Sequence, residues 1–478
     1  MMKLLRFVDS RLLLLVLLFM AIATTGNAQY LRTSYFMDGA QYRLQLNPAL
    51  APSRGYIHLP GVSQTNASLR TNSLGIGDVV DVVKNADDAD YFMTDKFMDK
   101  LVDVNKAQTA VGSDLFAVGN WHGKGFFSMN ISLKVDGNVS IPRELFTFMR
   151  DMNGMNTNDY SDFVRHIGEQ ELNVNAYAEI GVGYTRLIGD RLSIGGRVKG
   201  LLGVGNANLK IHSATIQTNL NGVDPDIDWS YPRAEQLDGV NGTASIDVDA
   251  DLVTSFKGLE LKTNQEGYID DVSYKTGKMG LSGFGAAFDL GLSYDVTQEF
   301  SLSAAVTDLG FIRWTKGSTQ KARAITCSLN FDTNAEPDDL ARFADVVGGS
   351  NVLNWDMLRL TPDRSDLKSR NTTLASTMAL GAEYRLANDK VSLGALFTNR
   401  FAKPENDSEL TFSVGVHPST LLDFAVSYSP IACGGSSFGV AMKLGPLFIG
   451  TDYMYLGNDT KCCNALVGLS IPLGKQEE

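Results

Sequence analysis

The chain has 478 residues and a formal net charge of −12 at pH 7, with 54 acidic side chains against 42 basic ones. A protein this acidic lacks the basic surface that nucleic-acid binding requires, so the sequence excludes that class of partner. The length alone would allow several domains. However, no Pro/Ser-rich linker, run of like charges or abrupt change in composition marks a domain boundary in the sequence.

Residues 1–28 have the pattern of a secretory signal peptide. Basic residues precede an apolar run from 12 to 23, and the small residues Gly26 and Ala28 favour cleavage before Gln29. The run is shorter than the roughly 20 residues of a membrane-spanning helix. We therefore expect an exported mature chain, and residues 29–55 then form a short segment before the first predicted strand.

Residues 56–474 predict an all-β fold, a transmembrane antiparallel β-barrel of about 14 strands. Very short links alternate strictly with longer ones, as short periplasmic turns alternate with long extracellular loops in outer-membrane barrels. An even strand number puts both termini, including a tail at 475–478, on the short-turn side. The predicted strands lie near 56–70, 113–121, 125–135, 173–187, 191–204, 283–295, 299–312, 374–386, 390–400, 409–416, 421–428, 436–444, 447–456 and 463–473, and the short links near 122–124, 188–190, 296–298, 387–389, 417–420 and 445–446.

The strands alternate between apolar and polar residues, as a lipid-facing surface and a polar lumen require. In the strand at 283–295, Phe284, Phe288 and Leu290 share one face and Asp289 lies on the other. A soluble β-sandwich also alternates, but it gives no reason for every second connection to be long. Aromatic residues near strand ends are predicted to form the interfacial girdle: Tyr184, Tyr294, Trp314, Tyr384, Tyr428 and Tyr455.

The same alternation predicts charged side chains of both signs that point into the lumen. They are expected to pair across the lumen and hold the N-terminal segment, or alternatively to line a route for polar solutes. The predicted set is Glu179, Arg197, Lys199, Asp289, Glu383, Arg385, Asp423, Lys443 and Asp452.

Three long loops contain apolar residues at helical spacing, at 76–104, 142–149 and 338–347. Such short helices are expected to roof the barrel, or alternatively to face outward as docking sites. In the loop at 218–282, Asp247, Asp249 and Asp251 are predicted to form the solvent-exposed face, here called the wet face, of a strand that extends beyond the membrane.

Neither a metal site nor a catalytic site is predicted. Asp224, Asp226 and Asp228 have the spacing of a calcium loop, but Trp229 stands where that loop needs glycine. The five histidines are scattered singly, and no hydrolase or phosphate-binding motif is present. We expect neither an enzyme nor a cofactor, although a barrel-wall hydrolase with only a Ser/His pair stays open.

The four cysteines, Cys327, Cys433, Cys462 and Cys463, predict one disulfide bond. Adjacent loops on one side of a barrel can bring α-carbons to bonding distance, and the cell envelope is oxidising. We expect Cys433 to bond to Cys462 or Cys463, with Cys462 preferred because Cys463 begins a strand. The alternatives are four free cysteines or, more remotely, a metal site.

A resemblance supports the barrel interpretation. Leu46-Asn47-Pro48-Ala49-Leu50 resembles the Asn-Pro-Ala motif of the long-chain fatty-acid transporter (FadL) superfamily, including Bacteroidota members associated with type IX secretion. Together with the segment at 306–314, the overall pattern is similar to uncharacterised Bacteroidota outer-membrane barrels. The resemblance implies a 14-stranded barrel in the outer membrane, with residues 29–55 in the lumen as a hatch that contains Asn47, Pro48 and Ala49.

These expectations lead to three candidate functions. The first is passive transport of small molecules, hydrophobic ones among them, through a barrel gated by the hatch. The second is an envelope scaffold or shuttle that docks secreted or surface proteins, and the third is a barrel-wall lipid hydrolase. Partners would accordingly be outer-membrane lipid, a hydrophobic ligand or an envelope protein.

Overall fold

The computed structural model of the chain consists mainly of β-strands. It describes residues 31–58, 64–85, 89–154, 162–222, 239–265, 267–324, 326–331, 358–365, 367–386, 388–402, 406–432, 435–454, 456–457 and 459–475. Within these residues the strands are β1 (Arg54–His58), β2 (Gln64–Thr71), β3 (Val104–His122), β4 (Gly125–Pro142), β5 (Phe163–Ile167), β6 (Gln170–Ile188), β7 (Leu192–Asn221), β8 (Asn241–Phe256), β9 (Leu259–Thr263), β10 (Ile269–Tyr274), β11 (Gly283–Asp295), β12 (Phe300–Trp314), β13 (Thr319–Arg323), β14 (Cys327–Phe331), β15 (Thr361–Asp363), β16 (Arg370–Thr373), β17 (Ser376–Leu386), β18 (Val391–Phe401), β19 (Asp407–Ser419), β20 (Leu422–Ala432), β21 (Gly435–Leu444), β22 (Leu447–Thr451), β23 (Cys462–Leu469) and β24 (Ile471–Lys475).

The described helices are short. The α-helices are α1 (Ile76–Lys84), α2 (Ala89–Met93), α3 (Asp95–Met98) and α4 (Arg143–Gly154), and the 3₁₀ turns lie at Arg32–Ser34, Gln41–Gln45, Thr276–Lys278 and Lys316–Ser318. In the described part of the chain, no helix has the length and apolar character to cross a membrane.

The wall is a closed antiparallel barrel of 14 strands, which confirms the predicted fold class. Three wall strands are each made of two consecutive segments: β1 with β2, β16 with β17, and β23 with β24. The sheet closes where β1 pairs with β24 and β2 pairs with β23. Because closure leaves no unpaired strand edge, the backbone groups of the wall are satisfied within the sheet.

Short turns connect the wall strands at one end of the barrel. Their described residues are 123–124, 189–191, 296–299, 388–390, 420–421 and 445–446. The predicted turn at 417–420 is displaced, because β19 continues to Ser419 and His417 is a strand residue. The first wall strand begins and the last one ends at this same end, at Arg54 and Lys475, where the two residues pair.

Side chains alternate between the exposed outer face and the filled interior. In β11, Phe284, Phe288 and Leu290 are 54%, 48% and 57% exposed, whereas Ala287 and Asp289 are 3% and 0% exposed. An apolar outer face with polar groups inside is the pattern of a barrel that spans a membrane.

A β-bulge in β12 reverses this alternation and makes one predicted position wrong. The register with β11 shifts between Phe288 and Leu290, opposite Asp308, whose φ is +58°. An extra residue exchanges the two faces of the strand beyond it. Trp314 therefore points inward and is completely buried rather than lying in the outer aromatic girdle, whereas Tyr184 is exposed as expected. The girdle position Tyr455 lies outside the described residues.

The end of the barrel opposite the short turns carries a sheet extension, of which the sequence had indicated only β8. Strand β7 has 30 residues, and its outer half pairs with β8 and β5. In β8, Asp247 and Asp249 are exposed while Ile246 and Val248 are buried, as the predicted wet face requires. The strands β13, β14 and β15 continue this sheet, and β9 pairs with β10 as a separate hairpin.

Helices occur in both described loops where they were predicted, and buried apolar side chains of α2, α3 and α4 face the protein, whereas the only buried residue of α1 is Asp78. Phe92, Phe97, Met98 and Leu101 of the first loop pack with Phe146 of α4 in one buried cluster. Within the described residues this arrangement fits a roof rather than an outward docking surface. The helix predicted at 338–347 lies outside the described residues.

Candidate functional site

The N-terminal segment, residues 31–53, lies in the lumen at the short-turn half of the barrel. Its residues are almost all buried, and its backbone contacts inward-facing side chains of several wall strands. Two 3₁₀ turns, each followed by a residue in the right-handed helical region, fold it into a compact chain. The described residues of the segment therefore fill this half of the lumen, and their role as a hatch stays a prediction.

One anchor of the N-terminal segment is the carboxylate of Asp452, which follows β22. Its oxygens accept hydrogen bonds from Arg32 N at 2.9 Å, Thr33 N at 2.8 Å and Thr33 Oγ1 at 2.7 Å. Arg32 also forms an ion pair with Glu409 of β19. Hydrogen bonds to a charged group contribute about 1.5–3 kcal/mol each, so Asp452 holds the start of the segment firmly.

A second anchor lies near the short turns. Asp423 Oδ2 accepts from Gly39 N at 3.1 Å, and Lys443 donates to the carbonyl oxygen of Gly39. Asp423 and Lys443 are direct partners across β20 and β21. The backbone N–H and C=O of Gly39 are thus both bound by a pair of predicted lumen charges, Asp423 and Lys443.

The predicted motif, Asn47-Pro48-Ala49, is buried against the opposite side of the wall. Asn47 Oδ1 accepts from Ala49 N at 2.9 Å, and Asn47 Nδ2 donates to the hydroxyl of Tyr35 at 3.0 Å. The carbonyl oxygens of Pro48 and Ala49 accept from Thr185 Oγ1 at 2.6 Å and from Ser193 Oγ at 2.7 Å. The Asn47 side chain therefore shapes the turn and also donates to the wall carbonyl oxygens of Leu292 and Ala304, at 3.4 and 3.5 Å, while other wall residues bind the backbone of the turn.

Two glycines form the floor beneath this motif. Gly195 of β7 and Gly291 of β11 are direct cross-strand partners. A Cβ at residue 195 would lie 2.5 Å from Ala49 N and closer still to Pro48 O, and one at residue 291 would lie 2.8 Å from Ala49 N. Only a residue without a side chain lets the backbone of the segment approach the wall this closely.

The predicted lumen charges are buried except Arg385, which is partly exposed. Six charged residues form a connected network: Lys134, Glu179, Arg197, Lys199, Asp289 and Asp308. Lys199 Nζ lies 2.8 Å from Asp289 and 2.7 Å from Asp308, and Lys134 Nζ lies 2.8 Å from Glu179. Sequence reasoning missed Lys134 and Asp308. Simple alternation with the exposed Leu133 would have indicated Lys134, but the bulge hid Asp308.

On the other side of the lumen, the N-terminal segment covers apolar side chains of the wall. One cluster joins Leu31, Met37 and Tyr42 to Phe448 and Leu466. A second cluster joins Tyr35, Phe36, Leu46 and Leu50 of the segment to Ala305, Ala379 and Leu396 of the wall. Apolar inward residues are unusual in a lumen meant only for water and ions.

Ser392, His417 and Asp423 are arranged in the order of a hydrolase triad. Ser392 Oγ lies 2.9 Å from His417 Nε2, and His417 Nδ1 lies 2.7 Å from Asp423 Oδ1. Ser392 is only 2% exposed, so its hydroxyl lacks the space that a substrate carbonyl needs. Because Asp423 also binds Gly39, we interpret the three residues as a support for the second anchor.

The cysteine predictions are described only in part. Cys462 is disulfide-bonded and Cys463 is free. Cys433 and the side chain of Cys327 lie outside the described residues, so the partner of Cys462 stays a prediction. In the described part of the chain no group of three or more potential metal ligands occurs, and the acidic loop at 224–228 lies outside it.

Fold and lumen together define a membrane-spanning β-barrel whose interior is occupied by its own N-terminal segment. The chain belongs to a family of unknown function (DUF5723), whose model matches residues 48–452. No curated protein matches the chain significantly.

Several solved outer-membrane channels are similar to the chain at low identity. A TodX monoaromatic hydrocarbon channel mutant is 10% identical, with a TM-score of 0.40, covering 90% of this chain and 94% of its own. A FadL homologue of Pseudomonas aeruginosa is 11% identical, with a TM-score of 0.38 and coverages of 93% and 98%. The toluene transporter TodX of Pseudomonas putida is 9% identical, with a TM-score of 0.30 and coverages of 93% and 95%. Similarity at this level carries no information about cargo or mechanism.

Proposed function

We propose that the protein is an outer-membrane channel for small hydrophobic molecules and that its N-terminal segment acts as a hatch. In this proposal the signal peptide at 1–28 directs export, and both termini are periplasmic. The observation that carries the proposal is the double anchoring of the segment, at Asp452 and at Asp423 with Lys443, on the same side of the lumen.

The bonding of the segment supports a hatch that can move. Its wall contacts are single hydrogen bonds, ion pairs and apolar side-chain packing, whereas each wall strand is held by a continuous ladder of backbone hydrogen bonds. Local opening begins where the fewest bonds must break, so the segment can leave its seat without unfolding the wall. The filled lumen would then open only while the segment is displaced.

The surfaces beneath the segment support hydrophobic cargo. Displacement would uncover Leu396, Phe448 and Leu466 on one side of the lumen. The charged network around Lys199 lies on the other side and is largely neutralised by internal pairing. A hydrophobic molecule could follow the apolar side without breaking that network.

Removal of the hatch tests the proposal directly. Deletion of residues 30–50 should raise single-channel conductance in planar bilayers, and a synthetic peptide of residues 29–53 added to the deleted barrel should lower it again. A folded, deleted barrel with the conductance of the full chain would refute gating. Full-length protein in liposomes should admit a small aromatic hydrocarbon and exclude a sugar of similar size, and equal entry of both would refute the cargo class.

A further inference from the structure

An apolar cavity lies on the outside of the barrel wall. It has a volume of about 180 Å³ and is lined by β3, β4, β6, β7, β8 and the hairpin of β9 and β10. Val111, Val135 and Ala176 form one row of its floor as cross-strand neighbours. Lys134, beside Val135, points into the lumen to Glu179, so the floor residues point outward.

The cavity adjoins the lipid-facing surface of the same strands. Toward the short turns, the outward residues Leu133, Ile180 and Val198 are 43%, 40% and 70% exposed. Further along the same outward faces, Val135, Ala176 and Ala207 line the cavity. Because the apolar surface continues into the cavity, its floor lies at the extracellular edge of the lipid-facing band.

The hairpin closes the cavity from outside and ends in a segment suited to a membrane interface. Phe256 and Tyr274 line the cavity, with ring centroids 5.7 Å apart. Tyr274, Met279 and Leu281 are 42%, 55% and 41% exposed. Exposed aromatic and aliphatic residues at this level are typical of the border between hydrocarbon and headgroups.

Three lysines lie at the end of the hairpin near the two cavity aromatics, Phe256 and Tyr274. Lys257 and Lys275 directly follow the two cavity aromatics in the chain, and Lys278 lies one 3₁₀ turn further. Lys275 Nζ and Lys278 Nζ lie 2.6 Å and 3.8 Å from Glu260, a single carboxylate. The group is therefore net positive, while the cavity lining contains no charged residue.

We propose that the cavity binds an acyl chain of an anionic lipid from the outer leaflet, with the phosphate of its headgroup against Lys257, Lys275 and Lys278. An apolar cavity of about 150 Å³ is enough to take up benzene, so this cavity accommodates part of one chain. The proposal concerns a lipid site on the outer wall and does not depend on the hatch.

Charge recognition is central to the proposal. A lipid tail gains little hydrophobic free energy on leaving the bilayer, because it is already surrounded by hydrocarbon. The preference of the site must therefore come from the headgroup, through its attraction to the lysines. The site should distinguish phosphatidylglycerol from phosphatidylcholine with identical chains.

Native mass spectrometry of the delipidated full-length protein with these two lipids tests the site. We expect one phosphatidylglycerol molecule to be retained about tenfold more tightly than phosphatidylcholine. Ala207→Trp, from the wall, and Val272→Trp, from the hairpin, should each abolish this retention by filling the cavity. Val198→Trp, on the plain lipid-facing part of β7, is the matched control and should retain the lipid.

The headgroup contact is tested separately. Replacement of Lys275→Gln together with Lys278→Gln should reduce the tenfold preference to about twofold or less. Unchanged retention in both cavity-filling variants would overturn the proposal, as would equal retention of the two lipids by the unmodified chain. Retention of free dodecanoate in place of phosphatidylglycerol would also overturn it, since the occupant would then be a soluble amphiphile.

Discussion

The glycine floor beneath Asn47-Pro48-Ala49 allows a single methyl group to test the hatch. In Gly195→Ala the new Cβ would lie 2.5 Å from Ala49 N, and nearer to Pro48 O. Non-bonded heavy atoms need about 3.5 Å, so the segment must retreat by roughly 1 Å or more. The wall cannot yield instead, because Gly195 is held between β6 and β11.

The free-energy cost of this substitution follows from the contacts it disturbs. Retreat breaks the hydrogen bonds from Thr185 to Pro48 and from Ser193 to Ala49, which are worth about 1 kcal/mol each. Overpacking adds about 1–3 kcal/mol. The total of about 3–5 kcal/mol raises the ratio of displaced to seated segment by roughly two to four orders of magnitude.

Single-channel recording measures this ratio as open probability, which should rise strongly in Gly195→Ala. The matched control is Gly196→Ala on the same strand, where a Cβ would lie 3.7 Å from Asp289 O, an ordinary contact. Heat-modifiable migration on a gel verifies that both barrels are folded. If Gly195→Ala forms a folded barrel with the open probability of Gly196→Ala, the inference that the motif seats a gate is wrong.

Three further measurements address other parts of the molecule. Asp452→Ala should also raise open probability, because it removes the acceptor for the backbone N–H groups of Arg32 and Thr33. Asp452→Asn keeps one oxygen acceptor and should have a smaller effect. Equal effects of the two substitutions would show that the carboxylate is not an anchor. In cells expressing a variant without free thiols, a cysteine at Asn406 should react with an impermeant maleimide and one at Asp389 should not, and the reverse result would invert the topology. Non-reducing peptide mapping should recover Cys433 linked to Cys462, and recovery of a Cys433 thiol from freshly blocked membranes would contradict the bond.

The wall was predictable because its physical constraints are periodic. Alternation in β11 puts Phe284 and Asp289 on opposite faces whatever the rest of the chain does, since a strand has a period of two residues. The short turns were predictable because adjacent antiparallel strands need few linking residues. The predicted lumen charges follow from the same two-residue alternation of side chains, and the alternation in β4 would also have predicted Lys134 as an inward residue.

A bulge in β12 accounts for the wrong prediction at Trp314. One added residue at Asp308 reverses the faces of the outer half of β12, and no composition change marks it. As a result Trp314 was predicted to face outward and Asp308 was missed as a lumen charge. An aspartate tolerates the left-handed backbone better than most residues, but this preference alone is too weak to locate a bulge in a sequence.

The position of the N-terminal segment in the lumen was harder to derive from the residues, because several of its wall partners bind the backbone of the segment rather than its side chains. Asp452, Thr185 and Ser193 bind peptide N–H or C=O groups, which every residue except proline provides alike. The Asn47 side chain fixes the shape of its own turn and adds two long hydrogen bonds to wall carbonyl oxygens, at 3.4 and 3.5 Å. The close approach of the turn to the wall depends on Gly195 and Gly291, two wall glycines among 46 in the chain. A change at Asn47 should therefore distort the turn and weaken its wall contacts together, while a change at Gly195 displaces the turn intact.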